Sequence, residues 1–139
     1  MKNILMPTDF SDTAKNAFQY AKQLAKRLNG HLKVVHCWYP DLDIVNGLSA
    51  PPVDLVIKVR KKKWDNLIQS NKIKQGGDDA SKNVIESEVL AGFAGTALEE
   101  ASANEEVDLI VMGTTGDGGT MEKIFGSISS HVSQNAQCP

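Results

Sequence analysis

Five glycines fall between Gly113 and Gly126, and the string from Gly113 to Ser127 reads G-T-T-G-D-G-G-T-M-E-K-I-F-G-S. Two residues separate Gly113 from Gly116, and nine separate Gly116 from Gly126-Ser127. An apolar run, residues 107–112, leads into this string, and residues 128–136, which have helical character, follow it. A strand, a glycine loop and a helix start in that order form a cradle for phosphate. Glycine lets the backbone approach a ligand closely and adopt φ > 0. The unpaired amides and the positive end of the helix dipole then face the anion. Ser127 is placed at the N-cap, where its hydroxyl accepts from a first-turn amide.

Other residues carry chemistry with less direction. Asp9 follows Pro7-Thr8 in a turn. Its carboxylate either closes an Asx-turn or accepts hydrogen bonds from ligand hydroxyls. Cys37 is either an inert buried thiol or a reactive one. Trp38 either stacks on a base or anchors the edge of the core. His36 reads as a packed, hydrogen-bonded core residue, whereas His31 and His131 read as surface residues without partners. No nucleophile–base pair and no metal cluster stands out. The run Arg60-Lys61-Lys62-Lys63 reads first as a solvated helix face, with a phosphate or acidic partner as its alternative.

The elements that must position these residues alternate. Residues 2–6 form an apolar run ending at Pro7 and are expected to be a buried strand. Ser11 is placed at the N-cap of a helix, and Asp12 in its first turn. Ala14, Ala17, Phe18, Ala21, Leu24, Ala25 and Leu28 form the apolar face of that helix, and Asn29-Gly30 stops it. Residues 31–38 are the second strand, and residues 39–52 a long loop holding three of the five prolines. Residues 53–74 are a helix, 75–81 a loop, 83–90 a third strand, 92–106 a short helix, and 107–112 a fourth strand. Strands alternating with helices imply a three-layer α/β sandwich around an open, mainly parallel, twisted sheet. In such sheets ligands bind beyond the carboxyl ends of the strands, where the strand order reverses.

Bulk properties narrow the function. At 139 residues the chain holds one domain, and 41% hydrophobic and 23% charged residues are ordinary for a globular protein. A net charge of −2 provides no basic footprint for nucleic acid. No apolar run is long enough to span a bilayer, and the N-terminus does not read as a signal peptide. Two distant cysteines, Cys37 and Cys138, form no CxxC, which points to a cytoplasmic protein with reduced thiols.

Two familiar phosphate loops fail here. No GxxxxGK[ST] string is present, and Gly116-Asp117-Gly118 is not followed by the third glycine of a dinucleotide fingerprint. The spacing G-x2-G-x9-G-S resembles instead the ATP-binding branch of the universal stress protein family. The opening residues 3–11, Val34-Val35-His36-Cys37, residues 107–113 and the stretch from Gly126-Ser127 to Pro139 resemble that family in order, over nearly the whole chain. The resemblance implies a Rossmann-like fold of the adenine nucleotide alpha hydrolase type and an ATP, ADP or AMP ligand. It implies Pro7, Thr8 and Asp9 under the nucleoside, Cys37 on adenine through its backbone, and Met112 and Gly113 at the ribose. It implies Gly116, Gly126, Ser127, Ile128 and Ser129 at the phosphates, with Mg2+ as an accompanying ion.

This sequence departs from the family pattern in two places. Asp117 stands where relatives usually carry Lys or Arg. Its charge beside a triphosphate would cost about 1 kcal/mol at close range, which Lys123 or Mg2+ could offset. The number of phosphates therefore stays open. Four strands are visible, whereas the family continues into a fifth that is often used for homodimer pairing. The expectation is a single domain, residues 1–139, truncated at its C-terminus or the first half of a tandem protein. Function is expected to be nucleotide binding in a stress-response role, with at most slow hydrolysis. The alternatives are a nucleotide-free dimerisation module and an ATP-hydrolysing enzyme, and the latter's early S-G-G-x-[DS]-S loop is missing here.

Overall fold

The computed structural model describes residues 2–38, 55, 58, 59, 61, 62, 65, 66, 85–104, 106–114 and 126–139. The loops expected at 39–52 and 75–81, and the positions Gly116, Asp117 and Lys123, lie outside the described residues. Strand β1 (Asn3–Pro7) is the centre of the sheet. It pairs in parallel with β2 (His31–Trp38) on one side and with β4 (Leu109–Ile110) on the other. Strand β3 (Ile85–Ala91) lies outside β2, giving the order β3-β2-β1-β4 with every pairing parallel.

Period-two alternation divides the core between the two sheet faces. Ile4, Met6, Leu32 and Val34 pack with Ala14, Phe18, Ala21 and Ala25 of α1 (Asp12–Leu28). Leu5 and Val35 point the other way, onto Leu98 of α2 (Ala94–Ser102) and Val132 of α3 (Ser127–Asn135). Helix, sheet and helix pair make the three layers of a Rossmann-like α/β fold. The described residues 55, 58, 59, 61, 62, 65 and 66 are helical. Ser87 on β3 donates to Asp65 at 2.6 Å, which ties that segment to the sheet.

Helix α1 begins where its sequence directs. The Ser11 hydroxyl accepts from the Ala14 amide at 3.1 Å, an N-cap bond worth about 1 kcal/mol. At its other end the left-handed position is taken by Asn29 (φ +49), not by Gly30. Gly30 serves close approach instead, because a Cβ there would overlap the Lys2 carbonyl oxygen. Leu28, expected on the inner face, is exposed at the last turn.

The fourth strand is shorter than the expected 107–112. In the turn before it, the Val107 amide is taken by the Asn104 carbonyl, so pairing starts beyond Val107, and Leu109–Ile110 are the residues in register with β1. The Val111 amide still reaches the Leu5 carbonyl, and the Ile110 amide is bonded to the Pro139 carbonyl at 2.8 Å. Asp108 fastens the start of β1. Its carboxylate accepts from the Asn3 amide at 2.8 Å and from Lys2 Nζ at 3.3 Å. The Asn3 amide bond, with Lys2 beside it, holds the Asp108 carboxyl below its ordinary range.

A depressed carboxyl stabilises the fold above its unfolded pKa, and that contribution is lost as pH falls through the folded value. We therefore expect Asp108→Asn to melt below the wild type at pH 7. The two curves should converge as the pH is taken well below about 4, the ordinary aspartate range. Thermal melts across that pH series would check it. Gly30→Ala should cost about 2 kcal/mol in urea titration, because the new methyl group meets backbone rather than a movable side chain.

Candidate functional site at the carboxyl edge of the sheet

With all four strands parallel, their carboxyl ends share one edge, and the order reverses between β1 and β4. The exit of β1 there is fastened residue by residue. The Thr8 amide donates to the Val35 carbonyl at 2.9 Å, and the buried Thr8 hydroxyl accepts from the Phe10 amide at 3.1 Å. Asp9 Oδ1 accepts from the Ser11 amide at 3.0 Å, so the Asx-turn is present. Asp9 itself is exposed, and a carboxylate has capacity for further donors. Phe10 takes φ +68, and its ring meets that of His36 at 4.7 Å between centroids. His36 is buried, and its Nδ1 lies 2.9 Å from the Thr8 carbonyl. The carbonyl can only accept, so the proton is on Nδ1. His36 is the packed core residue its strand position implies.

Cys37 lies next to the last residue of β2 and is partly buried against the α2/α3 side of the core. Burial pushes its thiol up to about 11, so it stays protonated at neutral pH. Burial, with the Asp108 charge, raises Cys138 as well. Neither thiol is poised as a nucleophile.

Beyond β4, Met112 packs into the same apolar cluster as Cys37, and Gly113 presses on α1. A Cβ at Gly113 would stand 2.8 Å from Thr13 Cγ2. The Thr114 carbonyl then receives two donors, the Gly126 amide at 2.6 Å and the Ser129 hydroxyl at 2.8 Å. The two ends of the glycine loop are thereby joined at the start of α3. Gly126 is the N-cap, which corrects the placement of Ser127. Ser127 is already helical and exposed, and no side chain caps the helix. The Ser130 amide closes the first turn on the Gly126 carbonyl at 3.0 Å. The amides of Ser127, Ile128 and Ser129 precede that bond, where an α-helix has no internal partner to offer.

Pro7, Thr8, Asp9, Cys37, Met112 and Gly113 lie at or just beyond the carboxyl ends of β1, β2 and β4, and Gly126, Ser127, Ile128 and Ser129 lie at the start of α3. Gly116 lies outside the described residues. Three contributors carried no signal in the sequence. Thr114 acts through its carbonyl, which any residue has. Thr13 matters only because Gly113 lies on it. His131, expected to lack a partner, sits over Gly95 with Nε2 at 3.0 Å from Glu99 and so locks α3 to α2.

Among the described residues, a separate cavity of about 230 Å3 opens on the β2–β3 side of the sheet, lined by His31, Lys33, Glu86 and Glu88. Lys33 and Glu88 are paired across it. Also among the described residues, no group of His, Cys, Asp and Glu is arranged to hold a metal ion, and no helix is long and apolar enough to cross a membrane.

The sequence profile described as the Universal stress protein family matches residues 1–139. The chain belongs to the universal stress protein family. Universal stress protein MJ0531 of Methanocaldococcus jannaschii is 30% identical over 148 residues, covering 99% of this chain and 79% of that protein. Among solved structures, universal stress protein UspA from Lactobacillus plantarum superposes with a TM-score of 0.72 at 26% identity, covering 99% of this chain and 93% of its own. A universal stress protein in complex with cAMP superposes with a TM-score of 0.67 at 21% identity, covering 99% and 92%, and shares the fold.

The contact between Gly113 and Thr13 is testable by a double-mutant cycle. Gly113→Ala should lower stability by about 1 kcal/mol as the Thr13 methyl group is displaced. In a Thr13→Ser background, which lacks that methyl group, the same change should cost markedly less. Equilibrium urea denaturation of the four proteins would measure it.

Proposed function

We propose that this universal stress protein binds an adenine nucleotide at the carboxyl edge between β1 and β4, in a regulatory rather than a catalytic role. One observation carries the reading. The exit of β4 and the N-terminus of α3 are joined through the Thr114 carbonyl, so the first-turn amides, which have no partner among the described residues, sit beside the point where the strand order reverses. Amides at a helix N-terminus recognise phosphate without side-chain help. No acidic side chain stands in the first turn of α3 to oppose an anion. Asp9, exposed beside the β1 exit, suits the ribose hydroxyls. The structural relative solved with cAMP supports an adenine ligand and shows that one phosphate can suffice in that protein.

ATP, ADP and AMP all fit the reading, and Mg2+ would accompany the longer phosphates. Two free thiols, Cys37 and Cys138, support a cytoplasmic setting. Dimerisation with a second copy belongs to the same proposal.

Native purification followed by denaturation should release an adenine nucleotide detectable by chromatography. Millimolar ATP should raise the melting temperature, and Gly126→Val should abolish that rise while the free protein still folds. Gly126 has φ −71, which valine adopts without strain. The proposal would be sunk by an absence of released nucleotide together with an unmoved melting temperature in the wild type.

A further inference from the structure

We propose that His131 is a positioning residue that sets phosphate affinity by holding the start of α3 against α2, an inference that rests on the adenine-nucleotide reading above. Backbone amides grip an anion only when several of them point at one spot. For Ser127, Ile128 and Ser129 that direction is fixed by how the first turn of α3 is held. His131 lies one turn after Ser127, on the same side of the helix. From Ser127 to Asn135, α3 has no other charged or ionisable side chain with which to hold a neighbour.

The seat of His131 is built from two residues of α2 that are one turn apart. Its Nε2 lies 3.0 Å from Glu99 Oε2, and since the carboxylate accepts, Nε2 carries the proton. Its ring lies against Gly95, where a Cβ would stand 3.0 Å from Cδ2 and 3.2 Å from Cγ. Glycine is a poor helix former, and here its bare Cα admits the ring. Both side chains of the pair are 41% exposed. An ion pair that open to water adds little stability, so the tie fixes position more than it holds the fold together. The other fastenings of α3 act elsewhere. The Thr114 carbonyl ties Gly126 and Ser129 to the β4 exit. At the far end Val132 packs with Leu98, and the Gln137 amide donates to Ser102 Oγ at 2.9 Å. Without His131 the first turn keeps its tie to β4 and loses its side-chain bond to α2. It can then tilt about the Thr114 contact while the core stays closed, and a tilt spoils the common direction of three amides.

Calorimetric titration of the full chain with ATP, AMP and adenosine tests the assignment. His131→Ala should weaken binding of whichever nucleotide the wild type takes by about five-fold. Adenosine binding should not change, because adenosine has no phosphate for the amides to hold. His131→Gln, whose side-chain amide can still donate to Glu99, should restore nucleotide affinity to the wild-type value. Glu99→Ala should reproduce the loss, and the double variant carrying both alanines should bind no more weakly than either single variant. Wild-type nucleotide affinity in His131→Ala overturns the proposal. So does an equal loss for adenosine, a lack of recovery in His131→Gln, or losses that add in the double variant. A wild type that binds neither ATP nor AMP overturns the nucleotide reading itself, which separates the two failures.

Discussion

Everything at the carboxyl edge depends on β1 being held on all four sides. Ile4, Leu5 and Met6 are fully buried, and the strand pairs along both edges. A strand in that position cannot slide, because a one-residue slip would turn Met6 toward α3 and Leu5 toward α1. Asp108 adds a fixed point at the amino end by holding the Asn3 amide. The exit at Pro7 and Thr8 is therefore placed by the core and not by the turn. The switch in strand order beside it places the exit of β4 by the same means. A ligand site at this edge inherits rigidity from residues that never touch the ligand.

Rigidity in the strand is passed to the turn through short-range fastenings. Thr8 uses its amide, its hydroxyl and its carbonyl, each with a different partner. The carbonyl is held by His36, which comes from the neighbouring strand, so the turn is referenced to β2 as well as to β1. Phe10 at φ +68 is in a region that non-glycine residues seldom occupy. Its ring lies on His36, so packing holds the backbone in that conformation. Asp9 is exposed between two constrained neighbours, and its Oδ1 holds the Ser11 amide. A carboxylate pre-oriented in this way loses little freedom on accepting hydroxyl donors.

Much of this was legible in the sequence, for physical reasons that differ by element. The bounds of β2 and the course of α1 could be read because apolar periodicity runs their full length and Ser11 and Asn29 mark the ends. The fourth strand was read too long because apolar composition cannot show that the Val107 amide is taken by a turn. Ser127 was placed at the helix cap because serine has the stronger preference for that position. The fold places the glycine there because its carbonyl closes the first turn on Ser130, one residue earlier than serine preference suggests. Gly30 looked like a helix terminator, yet its need arises from the Lys2 carbonyl, a partner 28 positions away in sequence. Long-range contacts of this kind leave no local trace. The same holds for His131, whose partner Glu99 lies on another helix.

The chemistry at the start of α3 follows from how Ser129 spends its one hydroxyl proton. The side chain is buried, and it lies 2.8 Å from the Thr114 carbonyl and 3.0 Å from the Gly126 carbonyl. Both neighbours can only accept, so that proton points into the protein and not toward a bound anion. What α3 can present to phosphate is then its backbone amides, with the dipole behind them. Amides carry no net charge and do not titrate in the physiological range, so they hold an anion over a wide pH range but do not neutralise it. A cradle of this kind leaves the charge balance of the bound ligand to the glycine loop and to accompanying cations. Under the proposed reading, Asp117 adds a negative charge to that loop that would oppose each further phosphate. For this chain the amide cradle and the Asp117 charge act in opposite directions.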